Sequence, residues 1–320
     1  MSPMLIDRSV GEPRRGQATD TQLGATRLRP GLGESLLAYG YLAPAMALLL
    51  LFSVAPFLYV FYASLQHAPA APNQRFVGLE NFHYLLDPAQ QSGFLDALSH
   101  TLEYALGVVP GGLLLSLACA LLLRRKVKGW ALYRLLFFLP FVTPVLPTSI
   151  IWIWIFNQQY GLLNAVLSAL HLPTNGWTND PAWAMPSVII YSLWQSAGFT
   201  TVLLLAGLTT IPHELEEAAA VDGAGRWAVT RLVTLPLLTP TIFFVLVVST
   251  IESLKVFSQI YALTGGGPGG ATTTVGFYLY QDIQYFHFDY ASAVAVVMFG
   301  LVLVLTLVQQ GLARFWVHYG

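Results

Sequence analysis

The sequence predicts an all-α integral membrane protein with six transmembrane helices, and three observations predict it. Of the 320 residues, 55% are hydrophobic and only 10% charged, against about 25% charged in an ordinary soluble domain. Six apolar stretches each reach the roughly 20 residues that a helix needs to cross the hydrocarbon core at 1.5 Å per residue. The basic residues are also partitioned, with thirteen of the fifteen Lys and Arg in the N-terminal region, in two alternate links or at the C-terminal end. A surface this poor in charge is stable only where most of it faces lipid.

Residues 1–34 are polar, carry Arg8, Arg14, Arg15, Arg27 and Arg29, and have no periodic apolar face. They read as a flexible tail. The apolar run that follows is too long for the core of a cleaved signal peptide. Residues 35–320 then form the membrane domain.

The first span covers 37–65 without a charge, and the second covers 101–123. The third covers 133–156 and contains Pro140 and Pro144, which membrane helices tolerate because neighbours re-satisfy the freed backbone groups. The fourth covers 183–208, the fifth 236–263 and the sixth 291–315. Between them, the links 76–96, 160–179 and 264–288 are long enough for short interfacial helices on which a soluble partner could rest.

Orientation follows from Lys and Arg. Five basic residues lie in the tail and five in the link after the second span (Arg124, Arg125, Lys126, Lys128 and Arg134). Arg226 and Arg231 lie in the link after the fourth span, and Arg314 near the C-terminus. Both termini are therefore expected to be cytoplasmic, with Arg75 alone in an opposite-side link and Lys255 within the fifth span.

The segment 208–240 is the most informative. Pro212 suits a helix start, and Glu214, Glu216 and Glu217 crowd the first turns, complementing the positive end of the helix dipole. Ala218, Ala219 and Ala220 continue a helix of little side-chain bulk, and Asp222-Gly223 breaks it. A second short helix is expected over 224–233, ending at Leu235-Pro236. This describes a helix–turn–helix outside the membrane with a small smooth face, which an ordinary amphipathic link could also present.

Chemistry of other kinds is missing from the pattern. Gly265 to Gly270 lacks the lysine of a phosphate loop and opens no helix after a strand, so it reads as a turn. Cys119, alone in an apolar run, excludes an internal disulfide, and a net charge of −1 gives no reason for a nucleic-acid partner.

Charges at membrane depth mark function by default. Glu252 and Lys255 lie about 24 Å along the fifth span from Pro236. Ser249, Glu252, Ser253, Val256 and Gln259 share one face at helical spacing. They either line a solute cavity, where carboxylates and amides meet sugar hydroxyls, or hold a structural Glu252–Lys255 pair. In the fourth span Tyr191, Trp194, Gln195 and Phe199 offer a second surface, aromatic faces being suited to pyranose rings.

Glu217-Ala218-Ala219, Asp222-Gly223-Ala224 and Leu235-Pro236 resemble the EAA motif of permease subunits in bacterial and archaeal ABC importers. The stretch from Phe76 to Phe82, the run Thr264-Gly265-Gly266-Gly267-Pro268 and Tyr290-Ala291-Ser292-Ala293 are similar to carbohydrate-type permeases, of the maltose and glycerol-3-phosphate kind. The resemblance covers residue 37 to the C-terminus. It implies that 208–240 is a cytoplasmic coupling helix between the fourth and fifth spans, contacting an ATPase through Glu217, Ala218, Ala219, Asp222, Gly223, Leu235 and Pro236. It implies a substrate path at Gln195, Phe199, Ser249, Glu252, Ser253 and Val256, although an acid at residue 252 departs from the maltose type. The implied partners are a second permease subunit, two ATPase subunits and an extracytoplasmic solute-binding protein. No cofactor is expected on this chain, ATP and magnesium being used by the ATPases. The expected location is the bacterial cell membrane. An importer of glycerol-3-phosphate or its diesters stays open, as does a secondary transporter using Glu252 as a proton site.

Overall fold

The protein is described by a computed structural model over residues 32–69, 71–124 and 130–317. Residues 1–31 of the expected tail, with its five arginines, and the basic residues of 125–129 lie outside the described residues. The chain divides into two compact units, up to Ala55 and from Pro56 onward.

In the first unit, helix α1 (Leu32–Leu49) runs into a π turn over Leu50–Val54. The described side chains from Tyr39 to Ser53 are exposed and almost all apolar, as a lipid-facing helix requires. The Ala55 N–H reaches back to the Leu50 carbonyl, five residues away, immediately before Pro56. A proline ring collides with the carbonyl four residues upstream, and a widened turn relieves that collision.

The second unit begins at Pro56, one residue into α2 (Ala55–Ala63), and continues with a two-residue antiparallel pair, β1 (Gln66–His67) with β2 (Arg75–Phe76). Asn81, in α3 (Glu80–Leu86), closes this corner by donating to the carbonyls of Ser64 at 2.8 Å and Gln66 at 2.9 Å. Helix α4 (Phe94–Leu123) is the second span.

The third span differs from its expectation. It is two helices, α5 (Trp130–Val142) and α6 (Val145–Ile155), bent by 105° at Thr143-Pro144. The residue before a proline is pushed out of the helical region, and Pro144 itself sits at ψ 145°, so the chain leaves the helix there. After α7 (Leu162–Ala169), α8 (Pro181–Thr209) forms the fourth span, capped by Asp180 accepting from the Ala182 N–H.

The fifth span also departs from expectation. Helices α9 (His213–Val221) and α10 (Arg226–Val229) lead into a π turn at Thr230–Thr234, which continues into α11 (Leu235–Leu254). The expected stop at Leu235-Pro236 is absent, and one helix runs from Arg226 to Leu254. The π turn again stands just before a proline, Pro236. The helix ends at Leu254 rather than near residue 263, and α12 (Ser258–Leu263) is separate. Helix α13 (Val275–Gln284) follows, and α14 (Phe288–Ala313) is the sixth span. Among the described residues, five helices are long and apolar enough to cross a membrane, and the bent α5–α6 pair makes six when taken as one span.

Helix α8 is the buried centre of this unit and packs against α4, α5 and α11. Membrane helices lack a hydrophobic drive toward one another, so close approach at small residues does the work. Gly107, Gly111 and Gly112 of α4 lie under Ile189 and Leu193, Gly198 lies on the α5 backbone, and Gly207 on Thr241 of α11. The glycine-rich link after α12 is a turn, as expected, stitched by Thr264 Oγ1–Thr272 Oγ1 at 2.7 Å and by Thr272 donating to Gly267 at 2.8 Å.

The link helix α13 carries a buried acid. Asp282 is 8% exposed and its Oδ2 has no partner among the described residues, while Oδ1 lies 3.8 Å from His287 Nδ1. Burial pushes its pKa up to about 6, with Asp289 adding to the rise and His287 opposing it. A carboxyl raised above its ordinary 3.8 gives most stability when protonated, and that stability is lost as pH rises through about 6. Asp282→Asn is therefore expected to stabilise the detergent-purified protein at pH 7.5 by on the order of 2 kcal/mol, to keep about half of that gain at pH 5, and to do little only below the ordinary carboxylate value of 3.8. Thermal unfolding at the two pH values reads this, and an equal gain at both would remove the titration from the explanation.

Candidate functional site

The six residues expected along the substrate path, Gln195, Phe199, Ser249, Glu252, Ser253 and Val256, all line one cavity of about 690 Å³. Its walls come from α4 (Tyr104, Val108, Gly112), the α5–α6 bend (Phe141 to Val145), α8, α11 and the segment just after α11. A volume of this size suits a small solute.

The bend explains why α5 and α6 contribute, since an unbroken helix would not turn Thr143 and Pro144 toward α8. Phe141 stacks on Phe199, with centroids 4.5 Å apart and planes 13° from parallel, giving an apolar platform. Across from it stand hydrogen-bonding groups. Gln259 Nε2 donates to Gln195 Oε1 at 3.3 Å, and Tyr104 donates to Ser192 at 2.9 Å. Aromatic faces beside amides and hydroxyls match the two kinds of surface a sugar ring presents.

The polar stripe is not the continuous helical face that the spacing predicts. Ser249, Glu252 and Ser253 are on α11, whereas Val256 and Gln259 lie beyond its end and in α12, and still meet the same cavity. The break is fixed from outside. Thr274 donates to the Val256 carbonyl at 3.1 Å, and Gly276 lies so close that a Cβ there would stand 2.6 Å from that oxygen. At the end of α11, Lys255 Nζ is 3.2 Å from Glu252 Oε1, with both side chains well exposed to the opening. Of the second surface expected on α8, Gln195 and Phe199 line the cavity and the other two do not. Tyr191 is fully buried, bonded to Thr148 at 2.7 Å, and Trp194 packs on Trp152, both away from the cavity.

At the other end of the helix that holds Ser249 and Glu252 lies the 208–240 segment. Glu217, Ala218, Asp222 and Gly223 are exposed on or beside α9, Ala219 is half-buried, and Gly223 takes the positive φ (+87°) that its turn needs. The helix closes with the Asp222 and Ala224 N–H groups donating to the carbonyls of Ala218 and Ala219 at 3.0 Å each. Leu235 and Pro236 sit inside the continuous helix instead of at its edge.

Glu216 turns inward, which the run of acids does not reveal. It accepts from Arg124 Nη1 at 2.6 Å and from Thr234 Oγ1 at 2.7 Å, joining the end of α4, helix α9 and the π turn. Burial opposes its ionisation, but the hydrogen bonds from Arg124 and Thr234 and the Arg124 charge hold its carboxyl below the ordinary carboxylate range.

Membrane-length helices around a solute-sized cavity, one of them joined by a short turn to an exposed acidic helix, define a membrane transport component. The chain belongs to the binding-protein-dependent transport system inner membrane component family, whose model matches residues 112–317. It is 36% identical over 287 residues to the sulfoquinovosyl glycerol transport system permease protein SmoG of Agrobacterium fabrum, covering 88% of this chain and 92% of that protein. It is 34% identical over 283 residues to the trehalose/maltose transport system permease protein MalF of Thermococcus litoralis, covering 88% and 95%. A chain in the crystal structure of a bacterial alginate ABC transporter, in complex with an alginate pentasaccharide-bound periplasmic protein, superposes with a TM-score of 0.78 at 25% identity, covering 90% and 97%.

Proposed function

We propose that this chain is the permease subunit of an ATP-driven importer for a carbohydrate, an oligosaccharide or related polyol, handed over by an external solute-binding protein. One observation carries the reading: a single helix of 29 residues, Arg226 to Leu254, has the exposed acidic segment at one end and Ser249, Glu252 and Ser253 of the cavity at the other. At 1.5 Å per residue that is a lever of about 43 Å. A push at α9 crosses only the short turn over residues 222–225 before it enters that helix, and Glu216 of α9 is tied to Thr234 beyond the turn.

In this reading both termini and the segment around Glu217–Gly223 are cytoplasmic, in the inner membrane of a bacterial cell. Two ATPase subunits bind ATP and magnesium, none of it held by this chain, and dock on Glu217, Ala218, Ala219, Asp222 and Gly223, with Leu235 and Pro236 carrying the motion into the membrane. A second, homologous permease subunit completes the path. Closure of the ATPases rotates the helices to open the cavity outward, and hydrolysis resets it inward. Gln195 and Ser253 bind hydroxyls, Phe199 offers a ring face, and Ser249, Glu252 and Val256 line the passage.

The test compares ATP hydrolysis by the complex assembled from this chain and its genomic neighbours in liposomes, with and without the binding protein. Glu217→Arg is expected to lower the stimulated rate at least tenfold, because it reverses a charge on an exposed contact face and leaves the cavity untouched. Unchanged stimulation, or solute uptake by this chain alone without ATP, would return the secondary-transporter reading.

A further inference from the structure

The cavity contains one cation and one anion. Among the described residues that line it, Glu252 and Lys255 are the formally charged ones, and they are paired at 3.2 Å. The remaining polar side chains are uncharged hydroxyls and amides, Gln195, Ser249, Ser253 and Gln259 among them. The pair is not a buried structural bridge. The Glu252 side chain is 69% exposed and that of Lys255 46%, so both face the open space of the cavity rather than another helix.

An exposed pair of this kind contributes little to stability, commonly about 0–1 kcal/mol. Its effect on the field in the cavity is larger. A lone ammonium about 6 Å from a solute anion, at an effective dielectric of about 40, attracts it by enough for roughly a tenfold change in occupancy. A carboxylate 3.2 Å from that ammonium cancels most of this attraction at the same distance. The ends of both side chains also belong to different backbone states. Glu252 is in the last turn of α11, whereas Lys255 is the first residue past it, held by the break at Val256 that Thr274 fixes. The fold thus sets the Lys255 backbone one residue past the helix that carries Glu252, and the two side chains meet at 3.2 Å.

We propose that Glu252 sets the charge selectivity of the transport path: by neutralising Lys255 it makes this wall favour uncharged glycosides, and without it the wall would favour anionic ones. This rests on the cavity being the solute path, and it names the solute as lacking a formal charge.

The field can be read without knowing the solute or its binding protein. In the assembled complex, with Cys119 replaced by alanine, Ser249→Cys serves as a reporter inside the cavity. Its rate of modification is measured with two methanethiosulfonates of similar size, one bearing a sulfonate and one a trimethylammonium. With the pair intact, the anion-to-cation rate ratio, normalised to a small thiol in solution, is expected near one. Glu252→Gln should raise the ratio about tenfold and Lys255→Gln should lower it by a similar factor. The Glu252→Gln/Lys255→Gln double variant should restore it, which separates charge from misfolding. A ratio well above one with the pair intact, no change on Glu252→Gln, or no modification by either reagent would each overturn the proposal.

A second arm uses competition of transport by an uncharged disaccharide, maltose, and by an alginate oligosaccharide. Glu252→Gln should shift the balance toward the acidic sugar relative to the parent. If stimulated ATP hydrolysis is absent altogether the importer reading has failed, whereas intact hydrolysis with an unshifted thiol ratio sinks only the role of Glu252.

Discussion

Gly198→Ala is expected to destabilise the helical core by about 3 kcal/mol, the upper part of the range for overpacking. A Cβ added at Gly198 meets the Phe137 carbonyl carbon at 2.8 Å and the Phe138 Cα at 3.0 Å. Both neighbours are backbone of α5, so neither can rotate away, and the two helices must separate. The residue stands between Gln195 and Phe199, so separation also moves Phe199 off Phe141 and opens the cavity wall. Gly300→Ala in α14 is the control, because a Cβ there meets nothing within 4 Å. It should be neutral or slightly stabilising, since alanine favours helix over glycine by roughly 0.5–1 kcal/mol. Unfolding midpoints of the purified protein in detergent compare the two. Equal midpoints would show that α5 and α8 are not held at the spacing seen here.

The contrast between those glycines marks where sequence reading succeeds and where it stops. Spans are legible because length and apolarity are local properties, and each expected stretch overlaps its helix, although α4 begins seven residues before 101 and the long fifth helix ten before 236. The internal breaks have distant causes. Pro140 and Pro144 allow either a kinked helix or a break, and the chain breaks at Thr143-Pro144, where the bend also lets Phe141 reach Phe199 of α8. Helix α11 stops at Leu254 because Thr274 and Gly276 grip the Val256 carbonyl, and no periodicity in residues 236–263 carries that information. Gln195, Ser249, Glu252 and Ser253 could be placed facing a cavity, since hydrophilic groups at membrane depth must face something other than lipid. The wall formed by the α5–α6 bend could not. In the coupling segment the turn at Gly223 could be read from Asp-Gly, but the inward acid could not. Glu214, Glu216 and Glu217 look alike along the chain, and only Arg124, 92 residues earlier, decides which of them turns in.

That decision leads to the prediction with the largest effect on transport. Glu216→Ala is expected to cut binding-protein-stimulated ATP hydrolysis and solute uptake at least tenfold while the subunits still assemble. Glu216 lies under the α9 face rather than on it, so its loss leaves in place the exposed residues proposed to meet the ATPase, unlike Glu217→Arg. What it removes is the tie from α9 to Arg124 at the end of α4 and to Thr234 in the π turn that starts the long helix. Motion imposed on α9 would then be absorbed by the turn at Gly223 instead of passing into α11. The carboxylate is 12% exposed and Arg124 30%, so the charged hydrogen bonds are partly screened and are worth about 1–3 kcal/mol together. A double-mutant cycle with Arg124→Ala should recover a coupling of that size, the two single changes being far from additive. Glu216→Gln, which keeps the Thr234 bond and loses the charge, should fall between. Because the carboxyl is held below its ordinary range, this contribution is present above an ordinary value of 4.5 and is lost as pH falls through the lowered one. Stimulation should therefore be insensitive to Glu216 titration from neutral pH down to about that value. Full stimulation in Glu216→Ala, with additive effects in the cycle, would mean that the helix moves without this tie and that the docked partner grips α10 or the π turn directly.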